Sequence, residues 1–165
     1  MDNSGIKLME KNRIRRSLKR MALEILEDAA GSHHVVIGGI KKRGTIIAKT
    51  LQEYIRESEN RQVPLLQIDT EKELVTPSHT WQEQTFMVLV DDVIFSGRTM
   101  FHALKIVTRI KIPQTITGAV LIDRGHRKLP VTTTYTGLHI PTKFNEHISV
   151  KFKNNKAHQV ILTSH

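Results

Sequence analysis

Residues 88–100, VLVDDVIFSGRTM, hold the most unusual combination of polar side chains in the sequence. Two adjacent acids, Asp91 and Asp92, follow an apolar run, and a Ser-Gly turn at residues 96–97 precedes Thr99, where a helix is predicted to begin. Amide groups at a tight turn before a helix bind anions, whereas carboxylates suit sugar hydroxyls or Mg²⁺. The segment therefore predicts a site for a phosphorylated ribose, with the phosphate at the turn and the sugar at the acids.

A second loop at residues 39–45, GIKKRGT, places three consecutive cations between two glycines. It differs from a Walker A loop because Thr45 stands where the lysine is required, which disfavours a nucleoside-triphosphate site. The glycines and cations suit another anion such as pyrophosphate. A solvated basic turn is the alternative interpretation.

Composition narrows the class of protein. The 165 residues predict one domain over residues 1–165, and the absence of cysteine excludes disulfide scaffolds, Cys-ligated zinc and thiol nucleophiles. No apolar run approaches a membrane span, and the first 20 residues lack the apolar core of a signal peptide, so we expect a cytoplasmic protein without a membrane partner. The formal charge of +9 favours phosphate-rich partners, either nucleotides or nucleic acid.

Hydrophobic periodicity predicts alternating helices and strands. Helices are predicted at residues 10–30, 46–57 and 99–110. Strands are predicted in the run that ends at Gly38, at residues 63–68, 86–90 and 115–122, and in shorter pieces around residues 135–140, 148–152 and 159–163. This alternation indicates an α/β fold with a mostly parallel sheet and helices on both faces.

Three loops should meet at one edge of this sheet, since ligands of parallel sheets bind beyond the carboxyl ends of the strands. They are residues 38–44, 91–99 and 123–130. Each contains unusual polar side chains, so their convergence is the main structural reason to expect a binding site there.

The segment at residues 88–100 resembles the 5-phosphoribosyl-1-pyrophosphate (PRPP) binding motif of type I phosphoribosyltransferases. The chain as a whole resembles the PyrR family of bifunctional pyrimidine-operon regulators and uracil phosphoribosyltransferases. The resemblance covers about residues 13–140 through the segments IRRSLKRMALEILE, GIKKRGTIIAKTL, VLVDDVIFSGRTM and VLIDRGHRKLPV. It implies a type I phosphoribosyltransferase fold, in which a mostly parallel sheet flanked by helices carries a small hood.

The resemblance also implies a reaction, in which uracil and PRPP form UMP and pyrophosphate with Mg²⁺ as cofactor. The implied catalytic residues are Asp91, Asp92 and Arg43, and the two acids would also hold Mg²⁺, partly through PRPP and water. The 5-phosphate would lie against Ser96, Gly97, Arg98 and Thr99. The pyrophosphate would lie against Lys41, Lys42, Arg43 and Gly44, and the base near Ile122, Asp123 and Arg124.

One part of the chain departs from this family. PyrR proteins carry a Tyr-Arg-Asp-Asp portion and a closing loop between the second and third strands, whereas residues 69–84 here are shorter and lack that portion. A closing loop completes a site and excludes water, so its alteration weakens the expectation of turnover more than that of binding.

Two further hypotheses therefore stay open. Besides the uracil enzyme, the alternatives are a phosphoribosyltransferase for another base and a nucleotide-sensing RNA-binding regulator of pyrimidine genes with little or no catalysis. The candidate RNA-binding residues are Arg13, Arg16, Lys19, Arg20 and Arg127. A solvated helix face is the alternative interpretation of the first four, and a homodimer is implied by the resemblance alone.

Overall fold

The computed structural model describes residues 5–78 and 81–164. Their elements are, in chain order, β1 (Ile6–Glu10), α1 (Lys11–Asp28), β2 (Val35–Ile40), α2 (Lys41–Glu59), β3 (Leu65–Asp69), β4 (Leu74–Thr76), β5 (Phe86–Ile94), α3 (Arg98–Ile110), β6 (Thr115–Asp123), β7 (Tyr135–His139), β8 (Glu146–Lys153) and β9 (Lys156–Ser164). Within these ranges, no helix has the length and apolar character needed to cross a membrane.

The main sheet has six strands in the order β4-β3-β2-β5-β6-β7. Five of them run parallel, and only β4 pairs with its neighbour in the antiparallel direction. The central strands β2 and β5 are apolar where they cross the core, as expected for strands covered on both faces. The predicted α/β class with a mostly parallel sheet is confirmed.

Alternate residues of these strands enter two separate cores. Val35 and Ile37 of β2 join the core formed by α1 and α2, whereas Val36 and Ile40 join the core formed by α3. Helix α1 packs through one stripe that includes Ile14, Leu18, Met21 and Ile25, all buried. Burying each of these side chains contributes roughly 1.5–3 kcal/mol, so apolar packing holds the helices to the sheet.

A smaller antiparallel sheet, β1-β9-β8, forms the hood. Its side chains Met9, Ile148, Val150 and Val160 are buried in the same core as α1 and α2. The sequence pattern predicted β8 and β9 approximately but missed β1, in which Met9 is the only fully buried residue.

Two predicted boundaries at the carboxyl edge are wrong. The third predicted strand does not end at Val90, because β5 continues to Ile94 and pairs with β6 on both sides of the acids. The predicted loop at residues 38–44 is hardly a loop, since β2 ends at Ile40 and α2 begins at Lys41 instead of residue 46. Lys41 makes this abrupt turn with a φ of 55°, which is unfavourable for a residue with a side chain.

Candidate functional site

The turn that follows β5, residues 95–99, is here named the Ser-Gly loop. Gly97 has a φ of 86° and is the N-terminal cap of α3. The N-cap residue has no side chain to cap this helix, and only the Arg98 amide donates to a nearby hydroxyl, Ser96 Oγ at 3.4 Å within the described ranges, so the other first-turn amides remain available to a ligand. A cavity of about 150 Å³ lies between the Ser-Gly loop and Asp91. The predicted phosphate-binding residues Ser96, Gly97, Arg98 and Thr99 all line it.

The Ser-Gly loop is braced by the predicted third loop, residues 123–130. The Arg127 guanidinium donates to the Phe95 carbonyl at 3.0 Å and to the Asp123 carboxylate at 2.8 Å. The Lys128 amide donates to the Ser96 carbonyl at 2.9 Å. These bonds connect two of the three predicted loops directly, and they hold the Ser-Gly loop in its shape without a ligand.

Asp123 is ionised within this brace. Its burial would raise the pKa, but hydrogen bonds from Arg127 and from the Gly125 amide outweigh that effect and leave the pKa below its ordinary value. The carboxylate also lies near His139, at 3.7 Å. Asp123, predicted near the base, therefore has its charge compensated by protein groups.

The acid pair lies beside the cavity. The Asp92 amide donates to the Asp91 carboxylate at 2.8 Å, and the Val93 amide donates to the Asp92 carboxylate at 2.9 Å. Burial, followed by the neighbouring negative charge of Asp92, raises the pKa of Asp91 well above its ordinary value. A cation or a donor of hydrogen bonds at this position would relieve that unfavourable charge.

Residues 41–44, here named the cation turn, pack directly against the acids. A Cβ at Gly44 would lie 2.4 Å from the Val90 carbonyl oxygen, so only glycine permits this approach. The Arg43 Nε donates to Asp92 Oδ2 at 2.8 Å, and Lys41 Nζ lies 3.9 Å from Glu71 Oε1. Lys42 is exposed and makes no hydrogen bond or ion pair within the described ranges.

Residues 69–78, the first part of the predicted loop at residues 69–84, form a turn and a short strand that pack against the rest of the protein. Asp69 Oδ1 accepts the amides of Glu71 and Lys72, each at 3.0 Å, which closes the turn. Glu73 binds His102 at 3.0 Å and Arg109 at 3.2 Å, both on α3. Most of the segment that differs from the PyrR family is thus tied to the sheet and to α3.

Trp81 also packs against the rest of the protein. It follows residues 79 and 80, which lie outside the described ranges. Its side chain is only 6% exposed, and its indole N–H donates to the Lys111 carbonyl at 3.0 Å. Trp81 therefore docks the end of this loop on the core that includes α3.

The predicted base side of the site contains an aromatic cluster that sequence reasoning missed. Phe95, His126 and Phe144 have ring centroids 5.4–6.4 Å apart, and Phe144 is 83% exposed. Arg124 is 8% exposed, with its guanidinium over the Phe95 ring and bonded to Thr142 and the Glu146 carbonyl. An apolar ring in the polar segment PTKFNEH was the available signal for Phe144.

Ile122 lies fully buried beneath this region. It is the third residue that the resemblance placed near the base. Its side chain belongs to the core shared with α1 and α2, so it supports the site from below.

The basic face of α1 lies elsewhere on the molecule. Arg15, Arg16 and Lys19 line a groove of about 240 Å³ between α1 and α2, together with Tyr54 of α2. Two other candidate RNA-binding residues are already engaged. Arg13 donates to the Leu8 carbonyl, and Arg20 donates to Glu24 and to carbonyls of β7. Arg127, the fifth candidate, belongs to the brace described above.

Comparison with known proteins assigns this arrangement to a family. The phosphoribosyl transferase domain matches residues 7–154. The bifunctional protein PyrR of Pelotomaculum thermopropionicum is 38% identical over 93% of this chain and 92% of its own length. That of Limosilactobacillus reuteri is 33% identical over 96% and 97%. The chain belongs to the PyrR family.

The fold comparison agrees with this family at a coarser level. The hypoxanthine phosphoribosyltransferase of Trypanosoma cruzi superposes with a TM-score of 0.75 over 99% of both chains, at 16% identity. Such a distant likeness establishes the phosphoribosyltransferase fold alone. The PyrR assignment rests instead on the relatives that align over nearly the whole chain.

Proposed function

We propose that this PyrR-family protein binds Mg-PRPP and a pyrimidine base and forms UMP from uracil. One observation carries the proposal: the acid pair, the Ser-Gly loop and the cation turn meet at one edge of the sheet. A phosphate suits the amides at the start of α3, and sugar hydroxyls suit the carboxylates of Asp91 and Asp92. These groups match the two chemical parts of a ribose 5-phosphate.

The proposed reaction is a displacement at the ribose C1 carbon. The bond from C1 to the pyrophosphate oxygen breaks, the bond from C1 to uracil N1 forms, and the N1 proton is released. Cations near the leaving group would stabilise the charge that develops on the pyrophosphate. Lys41 and Lys42 are suited to that role by position and charge, and no covalent nucleophile is required.

The donor set fits magnesium. Carboxylate oxygens are ligands that Mg²⁺ prefers, and it commonly uses one or two of them together with substrate phosphates and water. Within the described ranges no cluster of three His, Cys, Asp or Glu side chains could hold a metal without such help. We therefore assign Asp91 and Asp92 as the residues that would hold Mg²⁺ together with PRPP, where the ion would neutralise phosphate charge.

The aromatic cluster supports a position for the base. Phe144 offers an exposed ring face next to Phe95, which belongs to the Ser-Gly loop itself. Stacking on such a ring is tolerant of base identity, since every base has a π-face. The choice of uracil over another base therefore rests on the PyrR resemblance rather than on Phe144.

The test is an assay of pyrophosphate release from PRPP with a panel of purine and pyrimidine bases, with and without Mg²⁺. Turnover with uracil alone, dependent on Mg²⁺, is the expected result. Turnover with a different base would replace the substrate in this proposal, and the absence of turnover with every base would reject the enzymatic part.

A nucleotide-sensing RNA-binding regulator is the second candidate function. It is favoured by the groove between α1 and α2, which Arg15, Arg16 and Lys19 line together with Tyr54 and one acid, Glu57. Arginine and lysine bind phosphates, and a tyrosine ring provides a stacking surface for an unpaired base.

The regulator is tested by titrating structured RNA at two salt concentrations, with and without UMP. Binding that weakens with salt and changes with UMP supports it, and the R16Q/K19Q double variant should reduce the salt dependence. Binding that is missing at low salt would reject this second function.

A further inference from the structure

Arg43 has a different environment from the two lysines that precede it. Its Nε donates to Asp92 Oδ2 at 2.8 Å, while its Nη2 donates to the Val150 carbonyl at 2.7 Å. Its guanidinium also lies 5.2 Å from the centre of the Phe152 ring. Val150 and Phe152 belong to β8, so one side chain joins the cation turn, the acid pair and the hood.

This geometry uses the features that distinguish arginine from lysine. A planar guanidinium donates in two directions at once and stacks on an aromatic ring, whereas an ammonium acts as a compact point charge. Arg43 remains 51% exposed on its side chain, and Nη1 alone has no partner within the described ranges. Two of its five N–H groups, on different sides of the guanidinium, are therefore directed at protein atoms before any ligand binds.

The contact with Asp92 determines how that carboxylate is presented. Asp92 Oδ1 accepts the Val93 amide at 2.9 Å, and Oδ2 accepts Arg43. With both oxygens held, the carboxylate has one orientation before any ligand arrives. Each oxygen keeps a second lone pair with which to accept a sugar hydroxyl.

We propose that Arg43 is a positioning residue, which aims Asp92 at the ribose and fixes hood strand β8 beside it. Pyrophosphate is then bound by Lys41 and Lys42. This inference rests on the proposed function for its ligand, but the connection from Arg43 to the hood does not depend on it. It divides the cation turn into two roles that the sequence KKR does not distinguish.

Four variants test this division: R43K, R43Q, K42Q and F152L. The measurements are the dissociation constants of Mg-PRPP and of magnesium pyrophosphate, and the hydrogen exchange of the β8 amides. R43K and R43Q should each weaken PRPP binding about tenfold, since one charge-assisted hydrogen bond is lost in both. Both should change pyrophosphate binding less than about twofold and accelerate β8 exchange.

K42Q and F152L are the contrasting variants. K42Q should weaken both PRPP and pyrophosphate binding while the β8 amides exchange as in the parent protein. F152L removes only the ring beneath the guanidinium, so it should accelerate β8 exchange and leave PRPP affinity within about twofold. This combination separates the orientation of Asp92 from the attachment of the hood.

The proposal is overturned if R43K behaves like the parent while R43Q loses pyrophosphate affinity, because Arg43 would then act as a simple charge on that ligand. If the parent protein binds neither PRPP nor pyrophosphate, the proposed function fails separately. In that case β8 exchange still decides: faster exchange in R43K supports the connection to the hood, and unchanged exchange rejects it.

Discussion

The two segments that follow β5 and β3 are built in opposite ways, although both lie at the carboxyl edge of the sheet. After β5, the Ser-Gly loop is braced from behind by Arg127 and keeps a cavity in front of its amides. After β3, the Asp69 carboxylate closes the turn of residues 69–73 by accepting two amides, and Glu73 binds α3. The first segment is prepared for a ligand, and the second is docked onto protein.

This difference separates binding from catalysis. Because the Ser-Gly loop is already ordered, binding a phosphate there does not incur the entropic cost of ordering the loop. A segment that is held by ion pairs must release them before it can cover a substrate, as a closing loop does. We therefore expect PRPP binding to be the more robust property of this chain.

The largest effect should come from the acids beside the Ser-Gly loop. The D91N/D92N double variant loses two charge-assisted hydrogen bonds to the ribose, so we expect at least about a 100-fold loss of Mg-PRPP affinity. Isothermal titration calorimetry measures it. The E57Q/E59Q double variant makes the same charge change at the far end of α2 and should bind normally. Equal affinity in D91N/D92N and the parent would remove the acids from the site.

Weakening the brace behind the Ser-Gly loop should lower the stability of the folded protein. D123N leaves the Arg127 guanidinium without its carboxylate and should destabilise the protein by about 2 kcal/mol, a decrease in Tm of roughly 4–8 °C. Because the pKa of Asp123 is lowered in the folded state, its ionised form contributes stability above the ordinary carboxyl pKa. That contribution is lost as the pH falls through the folded pKa.

Thermal unfolding of D123N and the parent from pH 7 to pH 3 tests this sign. The difference in Tm should be full at pH 7 and should shrink below about pH 4. A difference that stays constant over this range would show that the carboxylate charge does not hold the brace.

The docked segment should oppose the ligand slightly. Glu71 lies beside Lys41 and competes with pyrophosphate for its charge. E71Q should therefore tighten pyrophosphate binding by about two- to fivefold, the range of an exposed ion pair. E57Q is the matched control because it removes one exposed carboxylate elsewhere. Weaker binding in E71Q would mean that Glu71 assists the ligand.

The smallest effect should come from the contact with α3. E73Q loses the ion pair with Arg109 and alters the hydrogen bond with His102, and both contacts are exposed to solvent. We expect a decrease in Tm of less than about 2 °C and unchanged PRPP affinity. If E73Q raises turnover with PRPP and a base, release of the segment limits catalysis and the segment acts as a closing loop after all.

The sequence predicted the parts of the site that depend on local pattern. Asp91, Asp92 and Ser96–Thr99 lie within nine residues, and a buried strand followed by a turn was sufficient to group them. Elements with a strong local pattern were predicted for the same reason, because α1 has a clear apolar periodicity and β2 begins as a continuous β-branched run.

The features that the sequence did not predict depend on contacts between residues far apart in the chain. Strand β1 is recognisable only through its pairing with β9, about 150 residues later, and β4 has three residues. The bond from Arg43 to Val150 crosses 107 residues, so no local pattern separates Arg43 from Lys42. The residues next to Phe144 in the sequence also give no sign of its role, because that role comes from contacts with the rings of Phe95 and His126.

A crystal structure of the protein with PRPP and Mg²⁺ tests the central claim most directly. We predict that the 5-phosphate accepts hydrogen bonds from the amides of the Ser-Gly loop and that the ribose hydroxyls donate to Asp91 and Asp92. Arg43 should remain on Asp92 and Val150. A phosphate bound elsewhere, or a ribose out of reach of both acids, would contradict this account of the site.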